Sequence, residues 1–452
     1  MNNQSTKIIT RFPPSPTGFF HIGSARTALF NYLFAKQTDG EMIIRIEDTD
    51  KERSKEEYEK DIFESLLWLG LEFDKEKVMK QSERTMVYKK YLKQMLKEGK
   101  VFEGEESKNG KGKVIRFKNP NKEIVFDDII RGEVKFDTNE LGDFVIAKNL
   151  EEPLYHLTAV VDDFETKITH IIRGEDHISN TPRQILLQEA IGASRPTYAH
   201  LPLILAPDKS KLSKRHGAVS LGEYKKQGYL PKAILNYLAL LGWNPGIKQE
   251  IFILDELIKR FDLKKVQKGG AIFNVEKLKW INKEHLKLLS EEDFKNKILE
   301  FGGAEVKKLF LSNKKISDKI LPVIKERVEK LEDINKMFRA GDLSYYFDQP
   351  NYEGEKILWK EEKSLENTKK YLIKIIELLN HVDEFSLEGI KAEVWNYATE
   401  QGRGSVLWPM RYALSGKDKS PDPFVLAEIL GKEETIKRLQ YAIDKINSNN
   451  KE

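Results

Sequence analysis

The stretch that decides the fold runs from Arg11 to Ser24 and reads RFPPSPTGFFHIGS. It follows a short β-rich segment, Lys7–Arg11, and leads into apolar residues at helical spacing from His21 to Lys36. The prolines and the glycine between these segments force a turn. A strand, a turn and a helix in this order open a doubly wound parallel sheet, whose helix N-terminus offers N–H groups and a positive dipole end to a phosphate.

The same alternation continues along the chain. Met42–Ile46 (MIIRI) predicts a second strand, and Lys55–Leu69 predicts an amphipathic helix. The pattern resumes near Leu154, where LTAVVDD (157–163) and KITHIIRGEDH (167–177) are predicted to contain strands and Thr181–Ile191 a helix. Strand–helix alternation is typical of a parallel α/β sheet.

Three further regions differ in pattern. Residues 99–150 hold short β-like runs (VIRF, IVFDDIIRG, EVKFD and DFVIAK) and look like an insertion into the α/β domain. Residues 206–289 combine a Lys- and Ser-rich loop with helices such as Pro231–Leu241. From residue 290, runs such as FKNKILEF, YLIKIIELL and FVLAEILG predict an all-α region, in two bundles. The sequence thus predicts a division of the chain into five parts, with residue bounds 1–98, 99–150, 151–205, 206–289 and 290–452.

Composition narrows the class of protein. The 452 residues include no cysteine, which excludes disulfides, thiolate catalysis and Cys-based zinc sites. Charged residues make up 33%, yet the net charge is only +4, so any nucleic-acid contact needs local basic patches. The N-terminus lacks a signal-peptide core, and no apolar run reaches the ~20 residues that span a bilayer. We expect a cytoplasmic protein that does not enter a membrane.

The turn before the first helix carries a candidate phosphate site. Gly18 and Gly23 would let a ligand approach the backbone closely, and His21 stands where it could donate to a phosphate as charge develops at the phosphorus. The alternative is a capped helix with a satisfied surface histidine. A second candidate is KLSKR (211–215), in which Lys211, Ser213, Lys214 and Arg215 could clamp a triphosphate. Its alternative is an ordinary solvated basic loop.

Both motifs resemble the signatures of one enzyme family. The string R-x-x-P-S-P-T-G-x-x-H-I-G resembles the first signature of class I aminoacyl-tRNA synthetases, in the form seen in bacterial glutamyl enzymes. Ser24 replaces the second histidine of that signature, a position commonly small in the glutamyl branch. The glutaminyl branch typically carries Glu-Pro-Asn at 15–17, where this chain has Ser-Pro-Thr. KLSKR is similar to the second signature, KMSKS, and the resemblance implies that Lys214 binds ATP with Lys211 as its helper.

The resemblance also implies a fold and an amino-acid site. The fold would be a Rossmann-like catalytic domain with an inserted acceptor-binding domain, followed by an all-α anticodon-binding region. Arg11 and Glu47 stand at predicted strand ends, where ligands bind in open α/β sheets. Residues matching Arg11, Ser15, Glu47, Tyr155 and Arg173 line the glutamate site of the family, although Ala159 replaces a common asparagine. The alternative is that both arginines are surface ion-pair partners.

Two acidic clusters raise the question of a metal. EDTD (47–50) and GEDH (174–177) could ligate Mg²⁺, since carboxylates are its usual ligands. We favour Glu47 as the acid for the substrate ammonium group, with its neighbours capping the next helix. We therefore expect no metal held by the protein alone: Mg²⁺ would arrive with ATP, and no zinc is expected.

The helical half contains candidate tRNA contacts. In EQGRGSVLWPMRYALSG (400–416), Arg403 and Arg411 could contact phosphates and Trp408 could stack on a base. The alternative is that Trp408, Met410 and Leu414 are core residues and the arginines are solvated. The resemblance implies that Arg327 also reads the anticodon.

Taken together, these features imply a monomeric glutamate–tRNA ligase that uses ATP, L-glutamate and tRNA(Glu). One alternative is a non-discriminating enzyme that also charges tRNA(Gln). A second is a tRNA-modifying glutamyltransferase, which would lack the helical half that is present here. A third is a non-catalytic RNA-binding paralogue, which should have lost His21 or Lys214, whereas both remain.

Overall fold

The computed structural model describes residues 7–105, 112–212 and 220–449. The chain divides into two compact units, Met1–His285 and Leu286–Glu452. The first unit is built on strands connected by helices, and the described part of the second contains helices and no strand. The mixed α/β class with a helical C-terminal region is therefore confirmed. The finer, five-part division stays a prediction.

Three parallel strands and three helices open the first unit. They are β1 (Ile9–Phe12), α1 (Ile22–Gln37), β2 (Glu41–Ile46), α2 (Glu56–Leu69), β3 (Met79–Lys80) and α3 (Thr85–Lys97). β1 pairs with β2, and β2 with β3, all in parallel. The alternation that the sequence predicts is present, with ends that differ by one or two residues.

The segment that the sequence marks as an insertion is antiparallel. Its strands are β4 (Val101–Glu105), β5 (Lys113–Phe117), β6 (Glu123–Asp128), β7 (Gly132–Asp137), β8 (Phe144–Asn149) and β9 (Glu152–Pro153). β4, β5, β8 and β9 form one sheet, while β6 and β7 form a hairpin. Antiparallel neighbours need only short loops, which explains how so many strands fit in so few residues.

The parallel sheet then resumes beside β1. Its elements are α4 (Tyr155–Glu165), β10 (His170–Gly174), α5 (Thr181–Ile191) and β11 (Thr197–Leu201). The backbone N–H of Thr169 donates to the carbonyl of Ile9, which places β10 next to β1. β10 pairs in parallel with β11, and β11 meets the hairpin where Tyr198 faces Asp128. The hairpin thus lies at the edge of the parallel sheet, and its Ile124 and Phe126 share a core with that sheet.

The predicted strand over LTAVVDD is wrong, because residues 155–165 form the helix α4. Seven consecutive residues of this helix, 157–163, are buried. Residues 157–161 form a short, mostly apolar run, and such a run suits a buried strand as well as a buried helix.

The rest of the first unit covers α1. Its elements are β12 (Ile204–Leu205), α6 (Leu221–Lys226), α7 (Pro231–Leu240), α8 (Leu254–Arg260), β13 (Ala271–Ile272) and α9 (Val275–Lys287). α1 packs against β1 and β2 on one side and against α7 and α8 on the other. This double burial explains why so few of its residues are exposed, although its sequence contains Arg26 and Asn31.

The described residues of the second unit form helices joined by loops, with no strand. It contains α10 (Glu291–Phe301), α11 (Ala304–Ser312), α12 (Lys314–Arg327), α13 (Glu332–Arg339), α14 (Ser344–Phe347), α15 (Leu365–Asn380), α16 (Leu387–Gln401), α17 (Arg403–Ser415), α18 (Pro423–Leu430) and α19 (Lys432–Asn449). α10–α12 pack on one another, and so do α15–α19, with α12 also contacting α18. Within the described ranges, no helix has the length and apolarity needed to cross a membrane.

Candidate active site

His21 forms the N-cap of α1 and closes the turn after β1. Its Nδ1 accepts hydrogen bonds from the backbone N–H groups of Gly23 (3.1 Å) and Ser24 (3.3 Å). Desolvation of the ring, and secondly the charge of Lys211, lower the pKa of His21, although the residue keeps exposed surface. Because Nδ1 accepts, the neutral ring carries its proton on Nε2, which lies 3.2 Å from the Ser24 hydroxyl.

This cap changes the role expected for the helix N-terminus. The N–H groups of Gly23 and Ser24 are bonded to His21, so the prediction that they are free for a phosphate is wrong in this state. A Cβ at Gly23 would lie 3.1 Å from the His21 ring, so the imidazole would have to shift by a few tenths of an ångström to admit a side chain there. A Cβ at Gly18 would meet nothing within 4 Å. Gly18 therefore borders open space on the same turn.

The described residues on either side of 213–219 include Lys211 and Ser220. Lys211 forms a β-bridge with Leu205, and Ser220 forms one with His21. The Lys211 ammonium lies 3.3 Å from Oδ2 of Asp176, in the GEDH segment. Of the predicted ATP contacts, Ser213, Lys214 and Arg215 lie outside the described residues. Lys211 and His21 are brought close enough for the charge of one to shift the pKa of the other.

A buried ionic cluster lies at the carboxyl ends of β1 and β2. Asp163 on α4 lies 3.2 Å from Nε of Arg11 and 2.5 Å from Nη1 of Arg45, and Arg45 Nη2 lies 3.1 Å from Glu47. Burial opposes the charged form of Asp163, but the two guanidinium groups outweigh it and lower its pKa. Burial raises the pKa of Glu47 despite the same arginines. The cluster holds its charges in place before any substrate binds.

Arg11 and Arg173 are buried rather than on the surface, so the surface ion-pair alternative is wrong. Nη1 of Arg11 is buried and has no hydrogen-bond partner. Burial lowers the pKa of Arg173, and the charges of Tyr155 and Arg11 also act on it. Burial raises the pKa of Tyr155, and the charges of Glu47 and Arg173 also act on it. Arg11, Glu47, Tyr155 and Arg173 therefore converge, as strand-end placement predicts. Ser15 is exposed in the loop beyond them, where its carbonyl accepts from Thr17 N–H.

The sequence reading missed residues that organise this cluster. Asp162 is fully buried and accepts hydrogen bonds from Gln81 (2.8 Å) and Tyr88 (2.9 Å) while pairing with Arg84 (2.8 Å). Asp163 and Arg45 were also missed. All three charged residues interrupt apolar runs, in LTAVVDD and MIIRI, and a charge within a buried run must have a partner. That interruption was the available signal.

The acidic clusters do not form the predicted helix cap. Asp48 accepts from Ser82, and Asp50 pairs with Arg53, while Lys55 occupies the N-cap of α2 without a side-chain cap bond. The first turn of α2 instead carries three glutamates. Among the described residues, no three His, Asp or Glu side chains are arranged to hold a metal ion.

The predicted tRNA contacts occupy three places in the second unit. Arg411 lies 4.7 Å above the Trp408 ring, and Arg403 lies 4.4 Å above the Trp395 ring. Trp408 is half-buried, and its indole N–H is buried without a partner. Arg327 lies 3.0 Å from Asp342. Met410 and Leu414 are core residues, as the alternative reading had it.

Comparison with known proteins follows the same division of the chain. A family profile described as "tRNA synthetases class I (E and Q), catalytic domain" matches residues 7–110 and 102–280. The chain belongs to this family. It is thus an aminoacyl-tRNA synthetase, a class of ligase that uses ATP. A second profile, described as "Anticodon binding domain", matches residues 292–443 of this synthetase.

Individual relatives cover nearly the whole synthetase. The glutamate–tRNA ligase of Thermodesulfovibrio yellowstonii is 41% identical over 97% of this chain and 99% of its own. That of Aquifex aeolicus is 38% identical over 98% of this chain and 100% of its own. A crystal structure of a glutamate tRNA ligase from Elizabethkingia meningosepticum, in complex with its amino acid, has a TM-score of 0.82 at 34% identity. It covers 97% of this chain and 99% of the other.

Proposed function

We propose that this synthetase is a glutamate–tRNA ligase that charges tRNA(Glu) in the cytoplasm, as a monomer. Glutamate's α-carboxylate attacks the α-phosphorus of ATP and releases diphosphate. The terminal ribose hydroxyl of the tRNA then takes the glutamyl group and releases AMP. No protein nucleophile is needed, so catalysis consists of positioning and charge stabilisation.

The observation that carries the choice of glutamate is the buried, unpartnered Nη1 of Arg11. A buried N–H donor without an acceptor is costly, and a carboxylate supplies the strongest acceptor for it. The pocket holds three guanidinium groups, of Arg11, Arg45 and Arg173, against the carboxylates of Glu47 and Asp163, while the nearby carboxylate of Asp162 is paired with Arg84. An additional negative charge balances this set, and the side-chain carboxylate of glutamate provides one. Tyr155 and Ser15 add hydroxyl donors, and Glu47 takes the ammonium group.

For ATP, we assign the loop between β1 and α1 together with the basic loop. The Nε2–H of His21 donates to the α-phosphate as charge grows there, and Gly18 and Gly23 leave the turn open to the nucleotide. Lys211, Ser213, Lys214 and Arg215 hold the leaving diphosphate. Mg²⁺ enters with the phosphates of ATP, and the described residues offer it no separate cluster. Arg327, Arg403, Trp408 and Arg411 contact the tRNA.

A charging assay with separate substrates tests this function. We expect tRNA(Glu) transcripts to be charged with glutamate, and free glutamine to be used at least ~100-fold less well in kcat/KM. The reason is that a neutral amide leaves buried guanidinium groups without a charged partner, at a cost of ~2–5 kcal/mol. Equal use of glutamate and glutamine contradicts the pocket assignment. Equal charging of tRNA(Gln) with glutamate would show a non-discriminating enzyme, and no charging at all a non-catalytic paralogue.

Arg11 offers a matched pair of variants. Arg11→Met removes the charge and is expected to raise the KM for glutamate by ~100-fold or more, whereas its KM for ATP should change little. Arg11→Lys keeps the charge but cannot form a bidentate contact, so we expect an intermediate effect. An unchanged KM for glutamate in Arg11→Met contradicts the role of Arg11.

A further inference from the structure

The hairpin of β6 and β7 places one carboxylate behind the amino-acid pocket. Asp128, the last residue of β6, is buried and faces Tyr198 of β11. Its Oδ1 accepts from the backbone N–H groups of Ile130 (2.9 Å) and Arg131 (2.8 Å). Its Oδ2 lies 2.7 Å from Nδ1 of His200, whose side chain is completely buried. Every neighbour that meets this carboxylate is an N–H group or a ring nitrogen that can donate.

His200 in turn meets Arg173. The Nε–H of Arg173 donates to His200 Nε2 at 3.1 Å, and its Nη2–H donates to the Thr181 hydroxyl at 2.8 Å. A guanidinium can only donate, so Nε2 of His200 must accept. The ring proton then lies on Nδ1, where it is donated to Asp128. One neutral tautomer satisfies both contacts, and the opposite tautomer satisfies neither.

We propose that Asp128 and His200 are positioning residues for the amino-acid site: Asp128 holds His200 in its Nδ1–H tautomer, and His200 Nε2 fixes the direction of the Arg173 guanidinium. This inference rests on the proposed role of Arg173 in binding glutamate. It makes the inserted hairpin, which the family resemblance places in an acceptor-binding domain, a support of the glutamate pocket.

Two features of the pocket support a role beyond filling the core. The planar fork of Arg173 is held at Nε and at Nη2, so the direction of its remaining Nη1 is set by His200 and Thr181 together. Hydrogen bonds from His200 and from the Arg131 N–H overcome burial and lower the pKa of Asp128, while burial lowers the pKa of His200. The pair is therefore an ionised carboxylate and a neutral imidazole at pH 7, the state that the geometry requires.

Asp128→Asn is the sharpest test, because it nearly preserves shape and reverses the polarity of the Oδ2 position, which accepts from both the ring Nδ1–H and the backbone N–H (3.0 Å) of His200. The backbone N–H groups of Ile130 and Arg131 require the amide oxygen, so the new NH₂ group faces His200 Nδ1. His200 then moves its proton to Nε2, where it opposes the Arg173 Nε–H. We expect the KM for glutamate to rise about 10-fold or more and the KM for ATP to stay within about twofold.

Asp137→Asn is the matched control on the same hairpin. Asp137 is exposed at the opposite end of the hairpin from Asp128, where it accepts from the backbone N–H and from the side-chain amide of Asn139. We expect both KM values to match those of the unaltered enzyme. An equal rise in glutamate KM for the two variants would show a general effect of the hairpin and would overturn the proposal.

A pair of substitutions at His200 tests the acceptor directly. His200→Gln places an amide oxygen near the position of Nε2 and can still accept from Arg173, whereas His200→Asn reaches only the position of Nδ1. We expect the glutamate KM to rise less in His200→Gln than in His200→Asn. The reverse order, or no rise in either, counts against the proposal even if Asp128→Asn does not fold.

The tautomer itself can be measured by ¹⁵N NMR of histidine-labelled protein, with the His200→Gln variant assigning the signal. We expect an unprotonated Nε2 in the intact enzyme and a protonated Nε2 in Asp128→Asn. A swapped tautomer with unchanged glutamate KM overturns the proposal. Arg173→Lys separates a failure of the proposed function from a failure of the positioning role. If Arg173→Lys leaves the glutamate KM unchanged, the assignment of Arg173 to the glutamate pocket is wrong. If it raises that KM while Asp128→Asn does not, only the positioning role of Asp128 and His200 is wrong.

Discussion

At the scale of single residues, one imidazole serves both the fold and the proposed chemistry. Nδ1 of His21 caps α1, while its Nε2–H, 3.2 Å from the Ser24 hydroxyl, is the group proposed to donate to ATP. Backbone N–H groups can only donate, so Nδ1 must accept and the ring proton lies on Nε2. A substitution can therefore keep the N-cap hydrogen bonds of α1 and remove the Nε2–H donor.

His21→Asn is expected to keep the cap and remove the donor. Asparagine is among the best N-cap residues, so the melting temperature should stay close to that of the unaltered enzyme. The charging kcat should fall by ~100-fold or more, because one lost donor to transition-state charge costs ~3–4 kcal/mol. His21→Ala should lose the same activity and also ~1 kcal/mol of stability. Charging and thermal unfolding of both variants check this, and a normal kcat in His21→Asn would contradict it.

At the scale of elements, α17 depends on the absence of one side chain. A Cβ at Gly404, in the first turn of α17, would lie 2.5 Å from the Trp359 indole nitrogen. Trp359 lies across this turn and meets the Trp408 ring at 5.3 Å between centroids. The glycine thus allows an aromatic segment to rest on the helix that carries Trp408 and Arg411.

Gly404→Ala is expected to destabilise the second unit. In an open helix the change would stabilise by up to ~1 kcal/mol, because alanine has the higher helix propensity. Here the rigid indole must move, and overpacking of this kind costs ~1–3 kcal/mol. Gly222→Ala in α6 is a suitable control, since its Cβ would make only an ordinary contact with Ser220 at 3.7 Å. Urea unfolding with tryptophan fluorescence measures both, and a stabilised Gly404→Ala would contradict the expectation.

At the scale of the whole molecule, buried histidines predict an acid-sensitive first unit. Burial lowers the pKa of His156, His177 and His285 to about 4. The unfolded chain binds these protons near pH 6.5, so their contribution is complete above that pH and is lost as pH falls towards 4. The raised pKa of Glu47 has the opposite sign and offsets part of the loss.

Urea unfolding between pH 7 and pH 5 checks this. A fully buried histidine changes stability by up to ~1.4 kcal/mol per pH unit, but these rings keep some solvent access. We therefore expect a total loss of about 2–3 kcal/mol in the first unit. His285→Gln can keep the hydrogen bond to Asn236 and remove the titration, so it should reduce the pH dependence. An identical slope in the two proteins would count against the assignment.

The sequence allowed the parallel sheet, the loop before α1 and the convergence of Arg11, Glu47 and Arg173 to be predicted. These features depend on local signals: period-two and period-3.6 apolar patterns, turn residues, and the rule that ligands bind at strand ends. It did not allow α4 to be predicted, because a short buried run such as 157–161 suits a strand as well as a helix. The roles of Asp128 and Asp163 were also missed, since each depends on partners far away in the chain.

What the sequence determined by itself is therefore the order of elements apart from α4, the family and the kinds of side chain in the pocket. Only the tertiary structure decided which charges meet: Asp163 between Arg11 and Arg45, and Asp128 behind His200 and Arg173. The physical reason is that turns and periodicity are properties of neighbouring residues, whereas a buried charge is stabilised by whichever partner the packing brings near. That partner leaves no trace in the local pattern.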